Sequence, residues 1–295
     1  MAKSKLTTSI VICALNEGKN LNSLLSTLIK QNQTNFKLKS ITVISDGSTD
    51  NTVSETRKIH NKAMVLKGFR NTMGKAYRLS QEFKLQKSDL VVQIDADVKI
   101  YDTNFLDLLL QPLIHNKKVG MTGANAQPLP GKTFVEKAVN ISVVPYVRMR
   151  QVCPSLSIGP VLAFRTELAR KIKFPKEILG EDVYAYLFCL SNNYFYRYVS
   201  SALVFYRSPN NLLEHIRQSI RFIQAPHNVA GYFSHRLVER EDRIPKLLYL
   251  HELLKVFSKH PILGSYIFLV NKFCELLVRL SLVPRKKWTI AMSTK

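Results

Sequence analysis

Two carboxylates close a mostly apolar run, Leu90-Val91-Val92-Gln93-Ile94-Asp95-Ala96-Asp97. On an extended strand this i,i+2 spacing turns Asp95 and Asp97 to one face, and the apolar run suits a strand covered on both sides. The carboxyl end of such a strand is where an α/β sheet places its ligands. Three further acidic positions border apolar runs: Glu17 after residues 10–15, Asp46 after residues 41–45, and Glu181-Asp182 before residues 183–190. Hard oxygen donors of this kind suit Mg2+ or Mn2+. A divalent metal on Asp97 would bridge to a diphosphate and offset charge on a departing phosphate. A carboxylate from another element could then take the proton of an incoming hydroxyl. Each acid also has a purely structural reading. Glu17 favours a helix N-terminus, Asp46 favours a turn, and Glu181 and Asp182 could both open the following helix. Asp50 reads as a helix cap and is left outside the site.

The elements that must position these acids alternate. Ile10-Val11-Ile12-Cys13-Ala14-Leu15 reads as a strand, broken by Asn16-Glu17-Gly18. Leu21, Leu24, Leu25, Leu28 and Ile29 follow at helical spacing. Residues 41–45 predict a second strand, 51–59 a helix, 63–66 a strand, and 75–85 a helix after a loop over 68–74. The strand from Leu90 completes a βαβ rhythm, which implies a mostly parallel sheet covered by helices. A helix carrying Phe105, Leu106, Leu109, Leu110 and Leu113 comes next. Strands are expected near 119–122, up to Phe164, and over 194–204. From Leu212 the pattern is helical, with breaks expected at Pro226, Pro245, Pro261 and Pro284. The expected division is therefore an α/β domain over 1–210 and a helical region over 211–295.

Composition sets outer limits. A chain of 295 residues with 46% hydrophobic and 22% charged side chains can bury a substantial core. Its formal charge of +22 implies an anionic partner: nucleic acid, a phosphorylated substrate or an acidic bilayer. Residues 113–176 hold eleven Lys and Arg against Glu136 and Glu167 alone. The four cysteines are scattered without a CxxC pair, which supports neither a zinc cluster nor a disulfide scaffold. The N-terminus reads as a first strand, not a signal peptide. No run of 18 uncharged apolar residues occurs, which argues against a conventional transmembrane helix. GxGxxG, GxxxxGK[ST] and GxSxG are absent, so dinucleotide binding, P-loop NTPase and α/β-hydrolase readings are disfavoured.

Taken together, VICALNEGKNL, VISDGSTDNT, NTMGKAYRLS, IDADV, GPVLAFR and GEDVYAYL resemble, in order and spacing, an inverting family 2 glycosyltransferase of GT-A fold. The resemblance covers about the first 190 residues. It implies that Glu17 and Asp46 contact the nucleoside of a nucleotide diphosphate sugar and that Asp95 lies near its ribose or base. It implies Asp97 as ligand of the Mn2+ or Mg2+ that holds the diphosphate, Asp182 as the catalytic base, and Lys75 near the nucleotide. Gln218-Ser219-Ile220-Arg221-Phe222 is similar to the QxxRW motif of membrane-associated members, with Phe for Trp. Arg221 would assist the departing diphosphate; packing of the arginine under Phe222 is the structural counterpart.

The C-terminal helices point to a surface. In residues 262–283 the charged Lys272, Glu275 and Arg279 interrupt a highly apolar stretch at helical spacing, leaving a wide apolar face. Residues 245–257 repeat it, and Arg285-Lys286-Lys287-Trp288 suits an anionic headgroup layer. The expectation is peripheral attachment on the cytoplasmic side of a membrane, with a lipid-linked or amphiphilic acceptor; packing against one another or across a homo-oligomer is the alternative. Two other functions stay open. A nucleotidyltransferase acting on a sugar phosphate shares acids and metal but attacks phosphorus. A nucleic-acid-binding protein fits the charge, yet no recognisable module of that type occurs.

Overall fold

The computed structural model describes residues 4–241 and 244–283. The first half alternates as the sequence pattern predicts: β1 (Leu6–Ala14), α1 (Gly18–Ile29), β2 (Phe36–Asp46), α2 (Thr52–Arg57), β3 (Met64–Phe69), α3 (Lys75–Leu85) and β4 (Leu90–Asp95). There follow β5 (Val98–Lys99), α4 (Phe105–His115), β6 (Val119–Pro128), α5 (Phe134–Met149), β7 (Val161–Arg165), α6 (Thr166–Ala169), α7 (Glu181–Ser191) and β8 (Phe195–Tyr206). Four helices come last: α8 (Leu212–Ala230), α9 (His235–Glu241), α10 (Lys246–Lys259) and α11 (Pro261–Arg279).

All eight strands form one sheet in the order β3-β2-β1-β4-β7-β6-β8-β5. Most of its pairings are parallel, as expected, but the sheet is mixed. β3, β2, β1 and β4 run parallel, as do β6 and β8, whereas β7 is antiparallel to both neighbours and β5 to β8. An apolar strand buried on both faces has the same residue pattern whichever way it runs. In β7, Val161 and Ala163 enter one core layer and Leu162 and Phe164 the other. β4 behaves likewise: Leu90, Val92 and Ile94 face the layer of α1 and α4, and Val91 faces α3. Gln93 and Asp95 therefore share the face of Val91.

Two sequence expectations fail for local reasons. α5 falls where no element is predicted, because Pro145 and a β-branched run hide it. Its signal is Thr133-x-x-Glu136. Thr133 Oγ1 accepts from the Glu136 N–H at 3.1 Å, and a Glu136 carboxylate oxygen accepts from the Thr133 N–H at 2.8 Å, a reciprocal cap. Conversely, Pro226 lies inside α8 and does not end it. An interior proline costs about 3 kcal/mol; burial of Ala225 and Val229 beside it offsets that cost. Pro245 and Pro261 do bound helices, as the N-cap of α10 and the first residue of α11. Pro284 and the basic Arg285–Trp288 tail lie outside the described residues.

The late helices pack onto α5. Ala138 and Val139 meet Ile267, flanked by Val135, Leu263 and Tyr266. Arg148 pairs with Glu252 at 2.5 Å, and the Tyr146 and Tyr249 hydroxyls lie 3.2 Å apart. α11 buries Gly264, Ile267, Val270 and Cys274 and leaves Ile262, Phe268, Leu269, Phe273 and Leu276 exposed. By length and composition it is long and apolar enough to cross a membrane. A criterion that tolerates no charge passes over it because of Lys272 and Glu275, which pair with each other at 2.6 Å.

Candidate active site

The loops that follow β1 and β2 interlock. Asn16 takes a left-handed backbone, φ 57°, which asparagine tolerates better than most residues. Its Oδ1 accepts from the Thr49 N–H at 2.8 Å, and its own N–H donates to Ser48 Oγ at 3.1 Å. Asp50 accepts from the Gly18 N–H at 3.1 Å and the Thr52 N–H at 2.9 Å, so it ties the two loops together. Glu17 is buried at the start of α1, and its carboxylate accepts from Asn20 Nδ2 at 3.0 Å.

Asp46, at the end of β2, is also buried, and both its oxygens have partners within the protein. It accepts from the Met73 N–H at 3.1 Å, the Gly74 N–H at 2.7 Å and Arg78 Nε at 2.6 Å. The Arg78 guanidinium in turn lies 3.6 Å over the Phe69 ring. Gly47 has φ +84°, and a Cβ there would come within 2.4 Å of Thr72 Oγ1, so the turn requires glycine. This clamp holds the loop that launches α3. Arg78 escapes notice in the sequence, although it sits almost one turn beyond Lys75 on the same helix.

Lys75 is the hub. Its Nζ lies 2.6 Å from Asp95 Oδ1 and 2.6 Å from Glu181 Oε1, joining the end of β4 to the start of α7. Burial opposes its charge, but the two carboxylates override burial and hold its pKa above the ordinary lysine value. Asp95 is pushed up by burial, with Lys75 pulling the other way. Burial also opposes ionisation of Glu181, yet Lys75, with help from Arg221, holds it below the usual carboxylate range. Asp182 differs from its neighbour. Burial and the Glu181 charge push it up to about 6, and its Oδ1 accepts from the Val183 N–H at 2.8 Å.

Asp97 corrects the same-face expectation. β4 ends at Asp95, and Ala96 and Asp97 form a turn before β5, so strand alternation does not relate the two acids. Burial, Asp95 and Glu17 push Asp97 up to about 7. Asp97 and Asp182 each feel both Lys75 and Asp95. Glu17, Lys75, Asp95, Asp97, Glu181 and Asp182 thus belong to one cluster at the carboxyl rim of β1 and β4. A depression of about 490 Å³ lined by Thr56, His60 and Leu66 lies at the other end of the sheet and takes no part.

α8 closes the side of this cluster. Asn228 Oδ1 accepts from the Leu179 N–H at 3.1 Å, and a Cβ on Gly180 would lie 3.3 Å from Ala225 Cβ. Arg221 lies close enough to act on Glu181, and its guanidinium stands 5.3 Å from the centroid of the exposed Phe222 ring. His215 turns away. Buried between α8 and α11 with Nδ1 3.2 Å from the Tyr266 hydroxyl, it is pushed down to about 4 by burial. His227 is exposed.

Among the described residues, no group of three or more His, Cys, Asp or Glu side chains could hold a metal ion by itself. Mg2+ and its analogues, however, are commonly held by one or two carboxylates plus substrate phosphates. Five carboxylates gather here, with Lys75 and Arg221 among the cations that act on them. That surplus of hard, negative oxygen suits one more cation beside a diphosphate.

A family model described as "Glycosyl transferase family 2" matches residues 9–162. Poly-beta-1,6-N-acetyl-D-glucosamine synthase from Staphylococcus aureus (strain COL) is 28% identical over 118 residues, 40% of this chain. The match spans 28% of the length of that curated relative. Among solved structures, the mannosyltransferase PcManGT from Pyrobaculum calidifontis, in complex with GDP-Man and Mn2+, is similar with a TM-score of 0.60 at 16% identity, covering 95% of this chain and 76% of that one. Glucosyl-3-phosphoglycerate synthase from Mycobacterium tuberculosis, with Mn2+, UDP and glucosyl-3-phosphoglycerate, has a TM-score of 0.55 at 16% identity over 77% of this chain and 79% of that one. Both likenesses are of fold.

Proposed function

This chain belongs to glycosyl transferase family 2 and carries that family's catalytic domain on a GT-A-like α/β fold; from this premise we propose metal-dependent, inverting transfer of one sugar from a nucleotide diphosphate sugar to an acceptor hydroxyl. One observation supports the site assignment above the rest: Asp97 and Asp182, 85 residues apart in the chain, share Lys75 and Asp95 as neighbours. Asp182 removes the proton of the acceptor hydroxyl as its oxygen attacks the anomeric carbon in line, opposite the nucleotide. A carboxyl pushed up to about 6 is ionised near neutrality and still basic enough to accept that proton. Glu181 does not compete, because Lys75 keeps it ionised and engaged. Paired acids driven apart in this way divide their roles.

Asp97, with Asp95 beside it, would hold Mn2+ or Mg2+, which when bound offsets the charge of the diphosphate. The relatives of similar fold that hold Mn2+ with GDP-Man or UDP support this reading. Asp95 and Glu17 orient the donor at the rim. Asp46 acts by clamping the loop over 71–75 against the nucleotide side, and Arg221 supplies positive charge near the leaving group. The test is a panel of nucleotide sugars incubated with and without Mn2+, with products read by NMR. Nucleoside diphosphate release and an inverted anomeric centre are expected. Pyrophosphate release would favour a nucleotidyltransferase instead, and retention would remove the single-displacement role of Asp182.

We further propose an amphiphilic acceptor reached from the cytoplasmic surface of an anionic membrane. Leu247, Ile262 and Leu269 are 85%, 75% and 65% exposed, with Leu254, Phe268 and Phe273 beside them on α10 and α11. Burying six such side chains contributes on the order of 5–10 kcal/mol before immobilisation costs. The formal charge of +22 adds attraction to acidic headgroups. Since α11 packs along α5 and α8 by one face, it would lie in the plane of the interface. Co-flotation of the full chain with phosphatidylglycerol vesicles is expected, and Leu269→Glu with Phe273→Glu should abolish it. Equal flotation of the double variant would remove α11 from this role.

A further inference from the structure

Arg150 follows α5 and is only 7% exposed, yet it forms no ion pair among the described residues. One guanidinium nitrogen, Nη1, donates to Asn125 Oδ1 at 3.1 Å and to the Ala126 carbonyl at 2.6 Å. Nε is buried without a hydrogen-bond partner. Tyr196 and Tyr206 lie close enough to feel its charge, Tyr198 is also a side-chain hydrogen-bond partner, and all three are neutral. A buried cation facing only neutral partners is costly, and an apolar side chain of similar volume is usually no worse for stability. Packing alone therefore leaves Arg150 unexplained.

Its place in the fold is informative. Asn125 and Ala126 lie in β6 just past its pairing with β7, where the register against β8 jumps from Ala124↔Val199 to Asn125↔Leu203. Such bulges re-aim side chains and recur beside active sites. Asn125 is fixed there: Nδ2 donates to the Ser200 carbonyl at 2.9 Å, and Oδ1 also accepts from Gln127 Nε2 at 2.7 Å. A Cβ on Gly159 would lie 3.8 Å from Ala126 Cβ, and the next residue, Pro160, accepts from the Asp95 N–H at 2.9 Å. Gly159-Pro160 thus runs from beside Ala126, an Arg150 partner, to Asp95 at the acid cluster. Arg150 lies on the β6–β8 flank of that cluster, away from the β1 and β2 loops assigned above to the donor.

We propose that Arg150 is the core of an oxyanion subsite that takes a phosphate group carried by the acceptor. The inference rests on the sugar-transfer reading for its meaning, but not for its binding test. The guanidinium fork matches phosphate geometry, and the surrounding segment over 113–176, with eleven basic and two acidic residues, favours an anion. Two sources share this chemistry, a lipid-linked phosphate and a soluble sugar phosphate.

The binding test titrates the full chain with inorganic phosphate, without divalent metal and at constant ionic strength maintained with chloride, reading thermal stability. Wild type should show a saturable rise in Tm. Arg150→Met should be at least as stable without phosphate, with half-saturation weakened about tenfold or more, as expected for a lost charged hydrogen bond. An unchanged response, or no saturable rise in wild type, would overturn the proposal. Should Arg150→Met fail to fold, Arg150→Lys decides: it keeps the charge but loses Nε, and a wild-type response would equally overturn it. In transfer assays, a hexose phosphate is compared with a polyprenyl phosphate in vesicles; whichever is used, its KM should rise about tenfold in Arg150→Lys. Turnover confined to phosphate-free acceptors would refute the subsite. Absence of any donor turnover by wild type would instead sink the sugar-transfer reading, leaving the phosphate titration to stand by itself.

Discussion

Replacing Asp182 with Asn is expected to lower kcat for transfer by about 10²- to 10⁴-fold, the usual contribution of a positioned general base, while donor affinity stays at the wild-type level. The amide preserves the acceptor oxygen that binds the Val183 N–H, so the start of α7 keeps its geometry. It also removes a charge that burial and Glu181 both disfavour, so thermal stability should be unchanged or higher at pH 8. The pH profile supplies an independent check. Asp182 acts only when ionised, so wild-type kcat at saturating donor and metal should fall as pH drops through about 6 and level off above it. The residual activity of the variant should lack that limb. Wild-type turnover in the variant would assign the proton to another group, and Glu181→Gln would be the next substitution.

Asp97→Asn should have the second largest effect. Loss of an outer-shell partner alone costs metal sites about 10- to 100-fold in affinity, so loss of a ligand should cost at least about 100-fold. The direct readout is calorimetric titration with the nucleoside diphosphate that wild type binds, with and without Mn2+. In wild type, Mn2+ should tighten binding; in the variant the enhancement should vanish. The sign of the stability change separates this from unfolding. Asp97 is pushed up to about 7 by burial and by Asp95 and Glu17, so its ionised form opposes folding at pH 8 without metal. The variant should melt no lower than wild type there. A variant that keeps the full Mn2+ enhancement would take Asp97 out of the metal site.

The division between what was legible and what was hidden follows the range of the forces involved. Residues within one strand or turn report on themselves through periodicity. The runs ending at Ala14, Asp46 and Asp95 announce a βαβ rhythm, and the acids at their ends announce a rim site. α5 was hidden although its Thr133-x-x-Glu136 cap is local, because Pro145 and β-branched residues argue against a helix that burial on α11 nevertheless stabilises. The direction of β7 was hidden for a different reason: a strand buried on both faces carries no mark of which way it runs.

At the site, residue types came from the chain and pairings from the fold. Glu17, Asp46, Lys75, Asp95, Asp97, Asp182 and Arg221 stand out by type and spacing, but no spacing says that Lys75 joins Asp95 to Glu181 or that Arg78 occupies Asp46. Asp97 leaves the strand for a turn, and Arg150 attracts no notice as one basic residue among many. The sequence by itself determined the βαβ order of the first half, the family and the identity of the acids, because propensity and side-chain chemistry act over a few residues. Only the tertiary structure decided which acid is neutralised, which is left basic and which buried cation has only neutral hydrogen-bond partners. Those outcomes depend on burial and on charges a few ångströms apart in space, brought together from positions scores of residues apart in the chain.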